Sequence, residues 1–96
     1  MEGTKERLKQ FDSIVSKLRD TYERKNTDYG NSFEESLDEF GAIAFVVRAD
    51  DKMRRLKQLV NNEAKVKDEC FEDTVKDLAN YCIMFTMWKE KQLNRG

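Results

Sequence analysis

The sequence predicts an all-α, four-helix bundle-like domain, and three observations carry that prediction. Proline is absent and only four glycines occur, so the turns that an all-β chain needs every ~8–12 residues have little to build them. Apolar residues recur at helical spacing along most of the chain. Ninety-six residues that are 39% hydrophobic and include six Phe, three Tyr and one Trp are too apolar for a disordered chain and too few for a second core. A single domain over 1–96 is expected.

The first helix is predicted over residues 4–25. There Leu8, Phe11, Val15, Leu18 and Tyr22 recur at alternating spacings of 3 and 4, a narrow apolar seam on a charged helix. The run Asn26-Thr27-Asp28-Tyr29-Gly30-Asn31 then predicts a turn, because Asn, Asp and Gly tolerate the left-handed conformations that end helices. Ser32 and Glu35 have capping-box spacing, which opens a short second helix over 32–40. Gly41 either breaks that helix or marks a close contact, and the sequence leaves both open.

A third helix is predicted over 42–60. Winding at 100° per residue puts Ala42, Phe45, Val46, Ala49, Met53, Leu56, Leu59 and Val60 on one side, the expected core face. The stretch from Asn61 to Lys67 has no sustained period and reads as a loop, after which Asp68 is the expected N-cap of a fourth helix over 68–92. Phe71, Val75, Leu78 and Cys82 form its first stripe. From Tyr81 to Trp88 it is apolar almost all round. A monomer this small can hardly cover every side of that segment, so a homo-oligomer is expected, most simply a two-fold dimer.

Composition also excludes several chemistries. The net charge of −1 supplies no field for long nucleic acid or an anionic membrane. Without histidine there are no His-dependent triads and no His-ligated metals. Cys70 and Cys82 make no disulfide framework; both are expected as buried small hydrophobes rather than nucleophiles. The longest apolar runs are far short of a membrane span, and the first nine residues lack a signal-peptide core. A soluble protein of the cytoplasm is the expectation.

The near-neutral balance hides segregation, with −4 over residues 31–41, +4 over 42–67 and −4 over 68–78. On the third helix Arg48, Asp51, Lys52 and Arg55 share about a third of the circumference. On the fourth, Glu69, Asp73 and Asp77 are successive i, i+4 neighbours, with Asn80 and Tyr81 beyond. Two readings compete. In one, the carboxylates favour the positive end of the helix dipole, Asp77 pairs with a base on the neighbouring helix, and Asp51 pairs within its helix with Arg48 and Arg55. In the other, Glu69, Asp73 and Asp77 hold Mg²⁺ together with Asp51 or a facing Glu34/Glu35/Asp38 cluster, and the cationic strip contacts phosphate. Asp77 weighs most there, lying beyond the first turn and beside Leu78. The polar turn at residues 25–30 either packs its tyrosine or stacks a base on Tyr29 while Asn26 reads the edge.

Three patterns together resemble a known family. They are Lys25-Asn26-x-Asp28-Tyr29-Gly30-x-Ser32-Phe33, then Gly41 with Arg48-x-x-Asp51-Lys52-x-x-Arg55, and Asp68-Glu69-x-x-Glu72-Asp73-Thr74-x-x-Asp77-Leu78-Ala79-Asn80-Tyr81. Over roughly residues 20–88 the chain resembles the nucleotide-modification-associated domain of the first type, a family found largely in phages and prophages. Its members look like relatives of the all-helical MazG-type nucleoside triphosphate pyrophosphohydrolases and dimeric dUTPases, which hold Mg²⁺ with clustered carboxylates at a subunit interface. The resemblance implies Asp51, Glu69, Asp73 and Asp77 as metal or water-activating groups. It implies phosphate contacts from Lys52 and Arg55 beside Arg48, and base or sugar contacts from Asn26, Asp28 and Tyr29, with Lys25, Asn80 and Tyr81 adjoining. The paired glutamates of MazG proteins are matched only loosely, by Glu34-Glu35-x-x-Asp38.

The expected function is therefore Mg²⁺-dependent nucleotide binding, with pyrophosphate release from a (deoxy)nucleoside triphosphate as the expected reaction and a phage host's cytoplasm as the setting. Two alternatives stand beside it. One is a non-catalytic phage module that sequesters a nucleotide signal of host defence; the other is a helical protein-interaction subunit docking through residues 81–88.

Overall fold

The computed structural model describes residues 2–29, 31–62 and 70–95, and the side chains of residues 3–26, 31–61 and 70–94. It is all-α. The helices are α1 (Glu2–Tyr29), α2 (Ser32–Phe40), α3 (Ala42–Asn62) and α4 (Phe71–Arg95). None of them is long and apolar enough to cross a membrane. The chain divides into two compact units, Met1–Gly30 and Asn31–Gly96.

The first unit is α1, which runs on through residues 26–29, where a turn was predicted. Asn26, Thr27 and Asp28 lower helix propensity by no more than about 0.7 kcal/mol each, and between Gly3 and Gly30 no glycine or proline interrupts the chain. Leu8, Phe11 and Val15 of its seam are exposed.

In the second unit, α2 begins at Ser32 with Asn31 at the N-cap position and no side-chain cap. The Glu35 amide donates to the Asn31 carbonyl at 3.0 Å. Ser32 is thus one residue inside the helix, out of register for the predicted capping box, and the Ser36 hydroxyl instead donates to the Ser32 carbonyl at 3.1 Å. Phe33 and Leu37, one turn apart, are the buried residues of this helix.

Gly41 resolves as a breaker. Its φ of 76° and ψ of −157° lie where side chains are rarely tolerated, while a Cβ there would meet nothing within 4 Å. Conformation, not crowding, requires glycine. Its amide donates to the Leu37 carbonyl at 2.8 Å, and its carbonyl accepts from the Ala44 amide at 3.0 Å, so one residue closes α2 and opens α3. Gly41→Ala is expected to cost about 1–3 kcal/mol, read as a lowered urea midpoint with an unchanged m-value; an unaltered midpoint would show that the turn relaxes freely.

Helix α3 packs chiefly against α4, and α2 lies against both. The face of α3 that turns inward is half of the predicted one, rotated to take in Lys52. Leu56 and Leu59 are buried and Phe45, Ala49 and Lys52 half-buried, whereas Ala42, Val46, Met53 and Val60 are exposed. Positions 45, 49, 52, 56 and 59 form the true seam, alternating four and three residues. Lys52 disguised it, because a lysine in the middle moves the apolar centre of gravity around the helix.

Helix α4 starts at Phe71, and the Thr74 amide donates to the Cys70 carbonyl at 3.4 Å. The predicted cap Asp68 and the loop after Asn62 lie outside the described residues. Its inward line is Thr74, Leu78, Tyr81, Phe85 and Trp88, all buried or half-buried, while Val75 and Cys82 of the predicted stripe are exposed. Phe85 stacks obliquely on Phe45, centroids 5.0 Å apart, and on Trp88 at 5.9 Å. Ile83 and Met87 face outward. Both cysteines are free and exposed, which corrects their reading as buried hydrophobes.

Candidate functional site

The seam's lysine meets an acid and an aromatic. Lys52 Nζ lies 3.4 Å from Asp77 Oδ2, with both side chains about 30% exposed. The same ammonium sits 6.0 Å from the centroid of the Tyr81 ring, which one turn of α4 sets beside Asp77. Phe33 meets Tyr81 edge to face, with centroids 4.9 Å apart at 76°, so α2 holds the ring from behind. Cation, carboxylate and ring thus converge from two helices that Leu56 and Leu59 hold in register.

Arg48 and Arg55 are one turn either side of Lys52 on α3 and are exposed. Asp51 is exposed as well. The intrahelical pair on this helix that the spacing did not predict is Arg54 Nε to Asp50 Oδ2 at 2.8 Å, and the Asp50 carboxylate raises the Arg54 pKa further above its ordinary value. On α4, Asp73 is exposed, Tyr81 half-buried and Asn80 buried; Asp77, Asn80 and Arg55 each take part in further interactions. Lys25 and Asn26 belong to the first unit, exposed and half-buried respectively. Glu69 and the side chains of Asp28 and Tyr29 lie outside the described residues.

Of the four expected metal carboxylates, then, Asp73 and Asp77 share a face one turn apart. Among the described residues no group of three or more His, Cys, Asp or Glu is placed to hold a metal ion, so Asp51 does not join them. Two carboxylates nevertheless suit Mg²⁺, which takes one or two from a protein and fills its shell with phosphate oxygens and water. The donor chemistry fits a metal delivered with a phosphate, not an all-protein cage.

The acidic run on α2 has other work. Glu34 Oε1 accepts from Lys91 Nζ at 2.7 Å, and Asp38 Oδ1 accepts from Trp88 Nε1 at 2.9 Å. These bonds join α2 to α4, so Glu34 and Asp38 of the expected facing cluster each have a protein partner. Partners fifty or more positions away leave no local sequence signal.

Cys70 stands just before α4. The Asp73 carboxylate, accepting a hydrogen bond from the Cys70 thiol, pushes that thiol above its ordinary range, against the opposing pull of the Asp73 amide. Asp73→Asn is expected to bring its titration to lower pH, followed by thiolate absorbance in a Cys82→Ser background; an unmoved titration would show that the Cys70–Asp73 bond does not persist in solution.

Comparison with known proteins adds one positive finding. No curated protein and no solved structure matches the chain. The family described as nucleotide modification associated domain 1 matches residues 25–88, a span that takes in the cationic strip of α3 and the acid, amide and ring of α4. With well over half of its residues matched, the chain belongs to the nucleotide modification associated domain 1 family.

Proposed function

We propose that the chain binds a nucleotide at the α3–α4 seam in a Mg²⁺-dependent way and releases pyrophosphate from a (deoxy)nucleoside triphosphate. The observation that carries the reading is the Lys52–Asp77–Tyr81 convergence at a rim that is neither sealed nor fully solvated. It offers three things a nucleotide needs: a cation for phosphate, a carboxylate for the metal that accompanies phosphate, and a ring face for a base. Lys52, with Arg48 and Arg55 beside it, offsets phosphate charge. Asp73 and Asp77 would hold Mg²⁺. When bound, that ion supplies a water of lowered pKa and a Lewis acid for phosphoryl oxygens.

The chain works in this reading as a homo-oligomer, which covers Ile83 and Met87 on α4 and Ile43, Val46 and Val47 on α3. Light scattering is expected to give at least twice the chain mass of 11.4 kDa. A likeness to MazG-type enzymes and dimeric dUTPases, and a phage setting, belong to the same proposal. A second reading, nucleotide sequestration without turnover, is favoured by the engagement of Glu34 and Asp38 in holding helices together.

The test is thermal unfolding against a panel of nucleotides, each with Mg²⁺ and with EDTA, followed by chromatography of the recovered nucleotide. A ligand at a hundredfold excess over its Kd stabilises by about 2.7 kcal/mol, a rise in Tm of about 10 °C or more for a domain of this size. A Mg²⁺-dependent rise with monophosphate formed supports the hydrolase. A rise with the nucleotide intact supports sequestration. No rise with any nucleotide leaves Lys52–Asp77 a structural ion pair and overturns both.

A further inference from the structure

We propose that Lys52 and Asp77 form a latch that shuts the site to a lone cation or a lone anion and opens to the two together. The inference rests on the nucleotide reading and deepens it. Each member of the pair is the group that one half of a metal–polyphosphate would need, and each is occupied by the other at 3.4 Å. Their geometry is imposed from outside the pair. The α3–α4 seam sets the spacing, and Tyr81, itself braced by Phe33, flanks the ammonium at 6.0 Å.

A divalent cation arriving alone at Asp77 meets the like charge of Lys52 and must displace it along a helix that carries Arg48 and Arg55 one turn to either side. An anion arriving alone at Lys52 meets the Asp77 carboxylate, with Asp73 one turn away. A metal–polyphosphate replaces one ion pair with two: Lys52 turns to phosphate and Asp77 to the metal, and no charge at the rim is left facing its like. At about 30% exposure the pair is weak enough to open for that exchange. The consequence is strong positive coupling between cation and anion, with Lys52 acting as a positioning residue on Asp77.

Equilibrium dialysis of the full chain with Mn²⁺ and pyrophosphate, each alone and both together, tests the latch through what the protein retains. In the wild type each alone is expected to bind weakly, and together each binds at least about tenfold tighter. Lys52→Met removes the ammonium beside Asp77, so Mn²⁺ alone binds about three- to tenfold tighter and the coupling disappears. Asp77→Asn releases Lys52, so pyrophosphate alone gains by a similar factor, a second arm that stands if Lys52→Met fails to fold. Wild-type binding of each alone that the other does not strengthen, or Lys52→Met and Asp77→Asn chains that gain nothing, overturns the latch while leaving nucleotide binding intact. No retention of either, with no thermal shift from any nucleotide, overturns the latch and the nucleotide reading together.

Discussion

Leu59→Ala is expected to lower stability by about 2–5 kcal/mol, a fall in Tm of about 8 °C or more. Leu59 is 0% exposed, on the seam of α3 that packs against α4, and truncation there removes three fully buried carbons. The fold has few residues to share the loss: Phe33, Leu37 and Leu56 are the other buried apolar residues of the second unit among those described. The informative control is its neighbour. Val60 is 67% exposed, although simple periodicity put it on the core face, and Val60→Ala is expected to change stability by no more than about 0.5 kcal/mol. Chemical denaturation of both variants at several protein concentrations reads the outcome. Equal losses would place Val60 in an interface between copies; a negligible loss at Leu59 would mean that α3 does not pack on α4 as described.

Asp77→Ala is expected to abolish the Mg²⁺-dependent part of nucleotide binding while leaving the fold in place. The two consequences separate because the structural role of Asp77 is modest. A pair at 3.4 Å with both side chains about 30% exposed contributes about 0–1 kcal/mol, the range of surface ion pairs. If the carboxylate is also the metal's protein ligand, its removal costs the whole coupling between metal and nucleotide. Asp73→Ala, one turn away at an exposed position, is expected to act the same way with still less effect on Tm. Circular dichroism establishes the fold and calorimetry with and without Mg²⁺ the binding. Unfolding of the Asp77 variant would return that residue to the structural ion-pair reading, and undiminished Mg²⁺-dependent binding in both would exclude α4 as the metal's helix.

Much of this could be read from residue order, for a physical reason that also sets its limit. Helix formation depends on local spacing, so four helices and their order followed from periodicity and from the lack of proline; the start at Ser32 was read from a capping box that does not form, and Gly41 marked the boundary between α2 and α3. The end of α1 was misplaced because Asn and Asp are weak breakers, whereas Gly41, with its positive φ, is a strict one. Lys52, Asp77 and Tyr81, which the structure brings together, were also visible as charge and ring at helical spacing.

What the residue order could not decide was which face of each helix turns inward and who meets whom. A seam containing a lysine is legible only once Asp77 and Tyr81 stand opposite it, twenty-five and more positions along the chain. The same holds for Glu34 with Lys91 and Asp38 with Trp88, acids that look like metal ligands in sequence and prove to hold α2 against α4. Helices are specified by neighbours three and four residues apart, whereas a site is specified by side chains that only packing brings together. For this chain, spacing by itself determined an all-helical architecture and a short list of charged candidates, and tertiary structure decided that one half-buried lysine joins the acid and the ring.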